Sequence, residues 1–340
     1  MKAIGLYKYL PIENPESLLD IEIEKPVAKG SDLLIKVKAI GVNPVDCKVR
    51  SPKDKVETTP KILGWDVSGV VEAVGDDVTL FSAGDEVYYS GAITRQGCNS
   101  EFHLVDERIV GKKPQTLSFE EAAALPLTTI TAYEGLFTRL GISLNQHENE
   151  GKSILIIGAA GGVGSIAIQL AKLAGLKVIA TASRPESVSW VKELGADAVV
   201  DHSGDISEQF RSLKLAEVPY IFNVNNTSYY WKAMSEVIAP QGKICLIVES
   251  AAVLDFNLFK NKSVTMVWEL MFTRSTYQTD DMIEQHLLLD QVSEWIDEGK
   301  IKSTLAETYS PIHAENLRKA HSKLESGSAI GKIVLSQFEV

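Results

Sequence analysis

Residues 154–171 read Ile-Leu-Ile-Ile-Gly-Ala-Ala-Gly-Gly-Val-Gly-Ser-Ile-Ala-Ile-Gln-Leu-Ala, and the chemistry they suit is the binding of a pyrophosphate. Ile154 to Ile157 form a short apolar run of the kind that makes a strand buried on both faces. A glycine-rich turn follows, Gly158 to Gly164, and then the period changes. Val163, Ile166, Ala167, Leu170, Ala171 and Leu173 fall at helical spacing. A sharp turn into a helix N-terminus points bare N–H groups at an anion. Gly161 lets the backbone come close to it, and Gly164 lets the helix lie on the strand. Ala159 stands where the first glycine of G-x-G-x-x-G usually is, so the motif reads A-x-G-x-x-G. The strand before it and the helix after it separate it from a glycine-rich loop with no ligand. Gly161, Gly162, Val163 and Gly164 are therefore expected to hold a dinucleotide pyrophosphate through their backbone.

The next strand speaks to the type of dinucleotide. Lys177 to Ala182 is a β run that ends in Ser183-Arg184-Pro185. An NAD site places an Asp or Glu there, on the ribose 2′-hydroxyl. Ser183 and Arg184 occupy the position instead, and an arginine pairs with a 2′-phosphate as a charge-assisted fork. The acid is missing and the base is present, which favours NADP(H) over a merely solvated arginine at a strand end.

The elements that position these residues fit a chain of 340 residues, long enough for two domains. The net charge of −11 argues against nucleic acid or an anionic membrane as partner; Arg184 and Lys332 are local exceptions, as an anion site needs. No apolar run approaches a membrane span, and Met1 to Tyr7 lacks the apolar core of a signal peptide. Cys47, Cys98 and Cys245 are far apart, odd in number and without C-x-x-C spacing. A cytoplasmic, reduced protein is expected.

Residues 1–110 read mostly as strands, including Asp32 to Ile40, Val67 to Val74 and a Gly84-Asp85 turn before another. Asn43-Pro44 opens a short helix, with Asn43 at the N-cap position. Ser118 and Glu121 have the spacing of a capping box, and a further helix follows Pro126. From Gly151 the pattern is α/β, with candidate parallel strands at 154–157, 178–181, 198–200, 220–224 and 243–248. A β run spans 263–268, amphipathic helices span 280–298 and 314–325, and a last strand spans 333–335. The fold class is α/β: a barrel-like antiparallel β domain followed by a doubly wound parallel sheet.

These residues together resemble the medium-chain dehydrogenase/reductase superfamily, whose members pair an N-terminal GroES-like β-barrel domain with a Rossmann domain and return to the first domain at the chain end. The resemblance covers nearly the whole chain. It is carried by Asn43-Pro44-Val45-Asp46, Gly64 to Val71, Gly84-Asp85-Glu86-Val87, Leu125-Pro126-Leu127 with Thr131-Ala132-Tyr133, Gly158 to Ser165, and Gly331-Lys332-Ile333-Val334-Leu335. Within the superfamily the chain looks like the quinone oxidoreductase branch, and most like bacterial proteins called zinc-type alcohol dehydrogenase-like. The resemblance implies a GroES-like domain of residues 1–124 plus 300–340 and an NADP-binding domain of residues 125–299. It also implies a homodimer, paired through the strand that precedes the apolar stretch Trp268 to Phe272.

In the alcohol dehydrogenase branch a catalytic zinc takes a Cys, a His and a second Cys or acid, with one position open. By resemblance these ligands fall at Asn43, Trp65 and Leu127. A carboxamide, an indole and an isobutyl group make no zinc site, and Asp66 is one carboxylate. Three cysteines also cannot supply the four of that branch's structural zinc. A zinc-free enzyme is expected. Without a Lewis acid, quinones and α,β-unsaturated carbonyls become the better hydride acceptors. By family position Asn43 lies near the substrate oxygen, as a donor to it or as the helix N-cap, and the two readings stand side by side. Lys48 lies where related reductases often have a tyrosine, either stabilising an enolate or quinol oxygen or simply solvated. Thr131 would touch the nicotinamide, Lys332 the coenzyme phosphates, and His202 the adenine. Trp65 and Tyr88 are candidate pocket walls or core. The alternatives to an NADPH-dependent quinone or enone reductase are a zinc alcohol dehydrogenase and a non-catalytic NADPH-binding protein.

Overall fold

The computed structural model describes residues 1–338. The chain forms two compact units, Met1–Ile130 with Phe272–Val340, and Thr131–Met271.

The first unit is built on β structure. Its main sheet runs in the order Leu305–Tyr309, Lys332–Ser336, Asp32–Val42, Asp66–Val74, Glu86–Ser90 and Val110–Lys112, with Phe102–Asp106 also paired to Asp32–Val42. Along Asp32–Val42, Leu33, Leu34 and Ile35 are buried in succession. The Phe119–Ala123 helix covers this strand, and its predicted capping box is present: Glu121 N–H donates to Ser118 Oγ at 3.2 Å, and Ser118 N–H to Glu121 Oε2 at 2.9 Å. A second sheet orders Leu19–Glu22, Lys2–Tyr9 and Lys53–Ile62. The last of these was not legible as a strand. Its polar sequence suits an edge, where one side of the ladder and most side chains meet water.

The two compact units divide the chain differently from the expected domains 1–124 plus 300–340 and 125–299. Residues 125–130 and 272–299 belong with the β unit. Tyr88 Oη donates to Leu289 O at 2.6 Å, His286 Nδ1 lies 2.7 Å from Val110 O, and the Lys112 and Thr116 N–H groups donate to Asp290 and Asp297. The Glu284–Asp297 helix thus covers the barrel. Amphipathicity predicts that such a helix has a buried face but not which unit receives it.

The second unit is a six-stranded, all-parallel sheet in the order Ala198–Val200, Lys177–Thr181, Ser153–Ile157, Val218–Asn223, Ile238–Leu246 and Thr265–Trp268. This is the doubly wound order, with the first strand at the centre and a reversal of direction beside it. Ile154 to Ile157 are fully buried, each contributing roughly 1.5–3 kcal/mol by transfer from water. The Thr227–Val237 helix presses Trp231 and Met234 onto Phe259, Ile221 and Ile244.

Candidate functional site

In the Thr131–Met271 unit the glycine turn has the geometry an anion needs. Gly158 ends the central strand at φ +81°, a region only glycine enters cheaply, and its N–H is tied to Thr181 Oγ1 at 3.0 Å. Gly161 caps the Gly162–Leu173 helix with ordinary backbone angles. A Cβ there would meet only Gly158 O, at 3.5 Å, so the outer side of the turn is open to a ligand. Gly164 is the reverse: a Cβ would lie 2.5 Å from Ala159 Cα and from Gly158 O. One glycine leaves room for the ligand, and the other lets helix and strand touch. These residues fit a dinucleotide pyrophosphate.

Ser183 and His202 close the ends of two adjacent parallel strands, with Ser183 Oγ and His202 Nε2 3.1 Å apart. His202 Nδ1 is buried without a hydrogen-bond partner. Arg184 is exposed at the N-terminus of the Pro185–Glu193 helix, its N–H donating to Ser187 Oγ at 3.2 Å. Serine, arginine and histidine thus gather where a doubly wound sheet receives an adenosine. Thr131 is buried in the Pro126–Tyr133 helix.

One buried pair in this unit escaped the sequence. Glu269, just past the Thr265–Trp268 strand, hydrogen-bonds Glu134 and accepts from Arg139 Nε at 2.8 Å. Burial, and then the Glu134 carboxyl, push its pKa well up. The signal was an acid inside the apolar run Trp268 to Phe272.

In the β unit the structure gathers Asn43, Asp46, Asp66 and Lys332, all at most 3 % exposed. The Lys332 ammonium donates to Val42 O at 3.0 Å, to Asp66 Oδ2 at 2.9 Å and to Asn43 Oδ1. Asn43 Nδ2 donates to Asp66 Oδ2 at 2.8 Å. Asp66 Oδ1 accepts the Leu127 N–H at 2.6 Å, capping the Pro126–Tyr133 helix, and Asp46 Oδ2 accepts the Asn43 N–H at 2.6 Å. Asp46 Oδ1 has no partner. Burial drives the Asp46 pKa up to about 7, against the pull of the Asn43 N–H and the Lys332 charge.

The Lys332 ammonium, expected at the coenzyme phosphates, has all three of its N–H bonds on buried acceptors in this structure. Asn43 sits at the N-cap position in a capping box with Asp46, and its carboxamide lies between Lys332 and Asp66. Trp65 and Tyr88 are core, Trp65 meeting Phe272 edge-on. Lys48 is exposed in the last turn of the Pro44–Arg50 helix. His103 is buried between Tyr89 Oη and Gln96 O.

Of the positions that the resemblance aligns with zinc ligands, Asn43 and the Leu127 backbone meet through Asp66, the neighbour of Trp65, around an ammonium. Zinc does not fit this set: sulfur and imidazole donors are missing, and the oxygens face a fixed positive charge. Among the described residues no group of three or more His, Cys, Asp or Glu side chains is placed to hold a metal. No helix among them is long and apolar enough to cross a membrane.

A GroES-like β unit joined to a doubly wound nucleotide-binding unit defines a class of oxidoreductases. Residues 29–127 match the alcohol dehydrogenase GroES-like domain and residues 162–285 the zinc-binding dehydrogenase domain. The chain belongs to the medium-chain dehydrogenase/reductase superfamily, in its quinone oxidoreductase-like branch. It is 46% identical over 336 residues to the zinc-type alcohol dehydrogenase-like protein SAS2087 of Staphylococcus aureus (strain MSSA476), covering 99% of this chain and 100% of that one. It is 33% identical to the mitochondrial NAD(P)H oxidoreductase RTN4IP1 of Mus musculus, over 90% of this chain and 82% of the relative. The 2-methylene-furan-3-one reductase of Solanum lycopersicum is also 33% identical, over 93% and 74%. Among solved structures, a candidate zinc-dependent alcohol dehydrogenase from Rhizobium etli CFN 42 superposes with TM-score 0.95 at 50% identity, covering 100% and 99% of the two chains. Mycobacterial Rv1454c complexed with NADPH gives 0.83 at 26%, over 99% of each. The quinone oxidoreductase of Pseudomonas syringae pv. Tomato DC3000 gives 0.78 at 28%, over 98% and 99%.

Proposed function

We propose that this chain is a zinc-independent, NADPH-dependent oxidoreductase that transfers hydride to a quinone or an α,β-unsaturated carbonyl. The observation that carries the reading is the Lys332 ammonium on Asn43 and Asp66, where a metal-dependent relative would gather its ligands. The relatives named as an NAD(P)H oxidoreductase, a 2-methylene-furan-3-one reductase and a quinone oxidoreductase support the substrate class. Ser183, Arg184 and His202, with no acid among them, support the 2′-phosphate. Gly161 to Gly164 take the pyrophosphate, and Thr131 the nicotinamide end.

When bound, the coenzyme supplies the hydride. The protein then has to position the acceptor and to stabilise the oxygen on which negative charge develops. Asn43 is fully buried and its carboxamide already engaged, so its part is to position. The exposed Lys48 is the candidate donor to that oxygen. Lys48→Met is expected to lower kcat roughly tenfold or more with the NADPH KM unchanged; equal kcat would return Lys48 to a solvated role.

The Thr265–Trp268 strand is the open edge of its sheet, and Trp268 is 56 % exposed. A homodimer paired along it is part of the proposal. So is a reducing, cytoplasmic setting, in keeping with three free, buried cysteines.

The test is NADPH oxidation by chelator-treated protein with quinones, enones and simple ketones, and NADH in parallel. Turnover of quinones or enones with NADPH preferred is the expected result. Activity on alcohols and ketones alone, lost with chelator and restored by zinc, would establish the metal-dependent alternative. Tight NADPH binding with no acceptor reduced would establish the non-catalytic one.

A further inference from the structure

We propose that Lys332 is a built-in cation that replaces the catalytic metal of the superfamily's zinc branch as the positioning centre of the site. The inference rests on the zinc-free reading above and extends it to the residue responsible. The ammonium draws three separate segments to one point: the end of the Asp32–Val42 strand through Val42 O, the first residue before the Pro44–Arg50 helix through Asn43 Oδ1, and the start of the Asp66–Val74 strand through Asp66 Oδ2. Asp66 then passes the constraint on, since its second oxygen holds the Leu127 N–H at the start of the Pro126–Tyr133 helix. A metal does the same by collecting ligands from distant segments around one charge.

The hydrogen-bond inventory assigns the role. An ammonium has three N–H bonds and no acceptor. All three are engaged inside the cluster, so Lys332 has none left for substrate and acts through Asn43 and Asp66. Two carboxyl groups stand in the cluster against one ammonium, and burial disfavours the charged form of Asp46. The side chain also fixes which way Asn43 lies: Oδ1 must face the ammonium and Nδ2 the Asp66 carboxylate. Without the ammonium, the amide oxygen loses its donor and only the Asp66 carboxylate is left to orient the group.

The experiment is chemical rescue. Lys332→Ala leaves a channel the length of the side chain, ending at Asp66, Asn43 and Val42 O, which propylammonium fits. The variant is expected to show kcat lowered roughly 10- to 100-fold and a depressed melting temperature. Millimolar propylammonium restores both, whereas equal tetramethylammonium, which has no N–H, restores neither. The NADPH KM, set in the other unit, stays within about twofold of the parent. Lys332→Met combined with Asp66→Asn removes both charges together and is the control that folds if the single variant does not. It is expected to melt near the parent yet keep the kcat defect. Parent-like kcat in this double variant, or no amine-dependent change in the melting temperature of Lys332→Ala, would overturn the proposal. If the parent itself reduces no acceptor, the proposed function fails separately, and the rescue is then judged on melting temperature alone.

Discussion

Asp46 is a carboxyl group held under the barrel surface with one oxygen on a backbone N–H and the other on nothing. Its pKa is raised to about 7, so between the ordinary carboxylate value of 3.8 and that value the folded chain keeps a proton that the unfolded chain releases. The stability this contributes is full below the unfolded value and is lost as pH rises through about 7. Asp46→Asn is therefore expected to flatten the dependence of unfolding free energy on pH between about 4 and 7, by a few kcal/mol, in urea titrations of both proteins. His103 and His321 slope the other way. Burial lowers them to about 4 and about 3, so their share is present above the ordinary histidine value and lost on acidification. They are common to both proteins and cancel in the difference; equal slopes would mean that Asp46 is ionised in the fold. Arg184 offers a second check. Arg184→Ala is expected to raise the NADPH KM roughly 10- to 100-fold, the worth of charge-assisted hydrogen bonds to a phosphate, and to leave the NADH KM unchanged. The three thiols complete the set: burial pushes Cys47, Cys98 and Cys245 upward, so a thiol reagent should label none in the folded protein and three in denaturant.

The strand–turn–helix at 153–173 works because two glycines have opposite duties. Gly164→Ala places a methyl 2.5 Å from backbone atoms that cannot step aside, and is expected to cost about 3 kcal/mol or more, read as a lowered melting temperature. Gly161→Ala meets ordinary contact distance and ordinary φ. It should melt like the parent and bind NADPH at least about tenfold more weakly, because the methyl stands where the pyrophosphate must approach. A normal melt for Gly164→Ala, or normal binding for Gly161→Ala, would exchange or abolish these duties. This element was fully legible, since all of its determinants are local: an apolar run, a small-residue turn and a helical period. The Lys53–Ile62 strand was not, since its partner Lys2–Tyr9 lies some fifty residues earlier and the partner alone makes it a strand.

For the molecule as a whole, the open edge of the parallel sheet is the feature with consequences. An exposed strand edge ending in Trp268, with Leu270 two residues beyond it and each more than half exposed, invites pairing with another chain. Trp268→Glu is expected to shift the protein from dimer to monomer in sedimentation or light scattering without lowering NADPH binding. A parent that sediments as a monomer would remove the edge from the assembly.

The amino-acid order alone marked the two-part α/β architecture, five of the six parallel strands to within a few residues with the sixth as a β run, the glycine turn and the serine and arginine after the second strand. Each of these depends on neighbours within about thirty residues, and periodicity or turn chemistry reports such neighbours directly. The fate of Lys332 depended on distance. In the sequence it is a basic residue 289 positions from Asn43, equally suited to a phosphate or to water. Only the sheet that places Lys332–Ser336 beside Asp32–Val42 sends its ammonium inward to Asn43 and Asp66. The Glu284–Asp297 helix was settled the same way, its apolar face plain in the sequence and its partner unit set by packing. Charge and burial are properties of a place in three dimensions, and those residues acquire theirs only once the chain has closed around them.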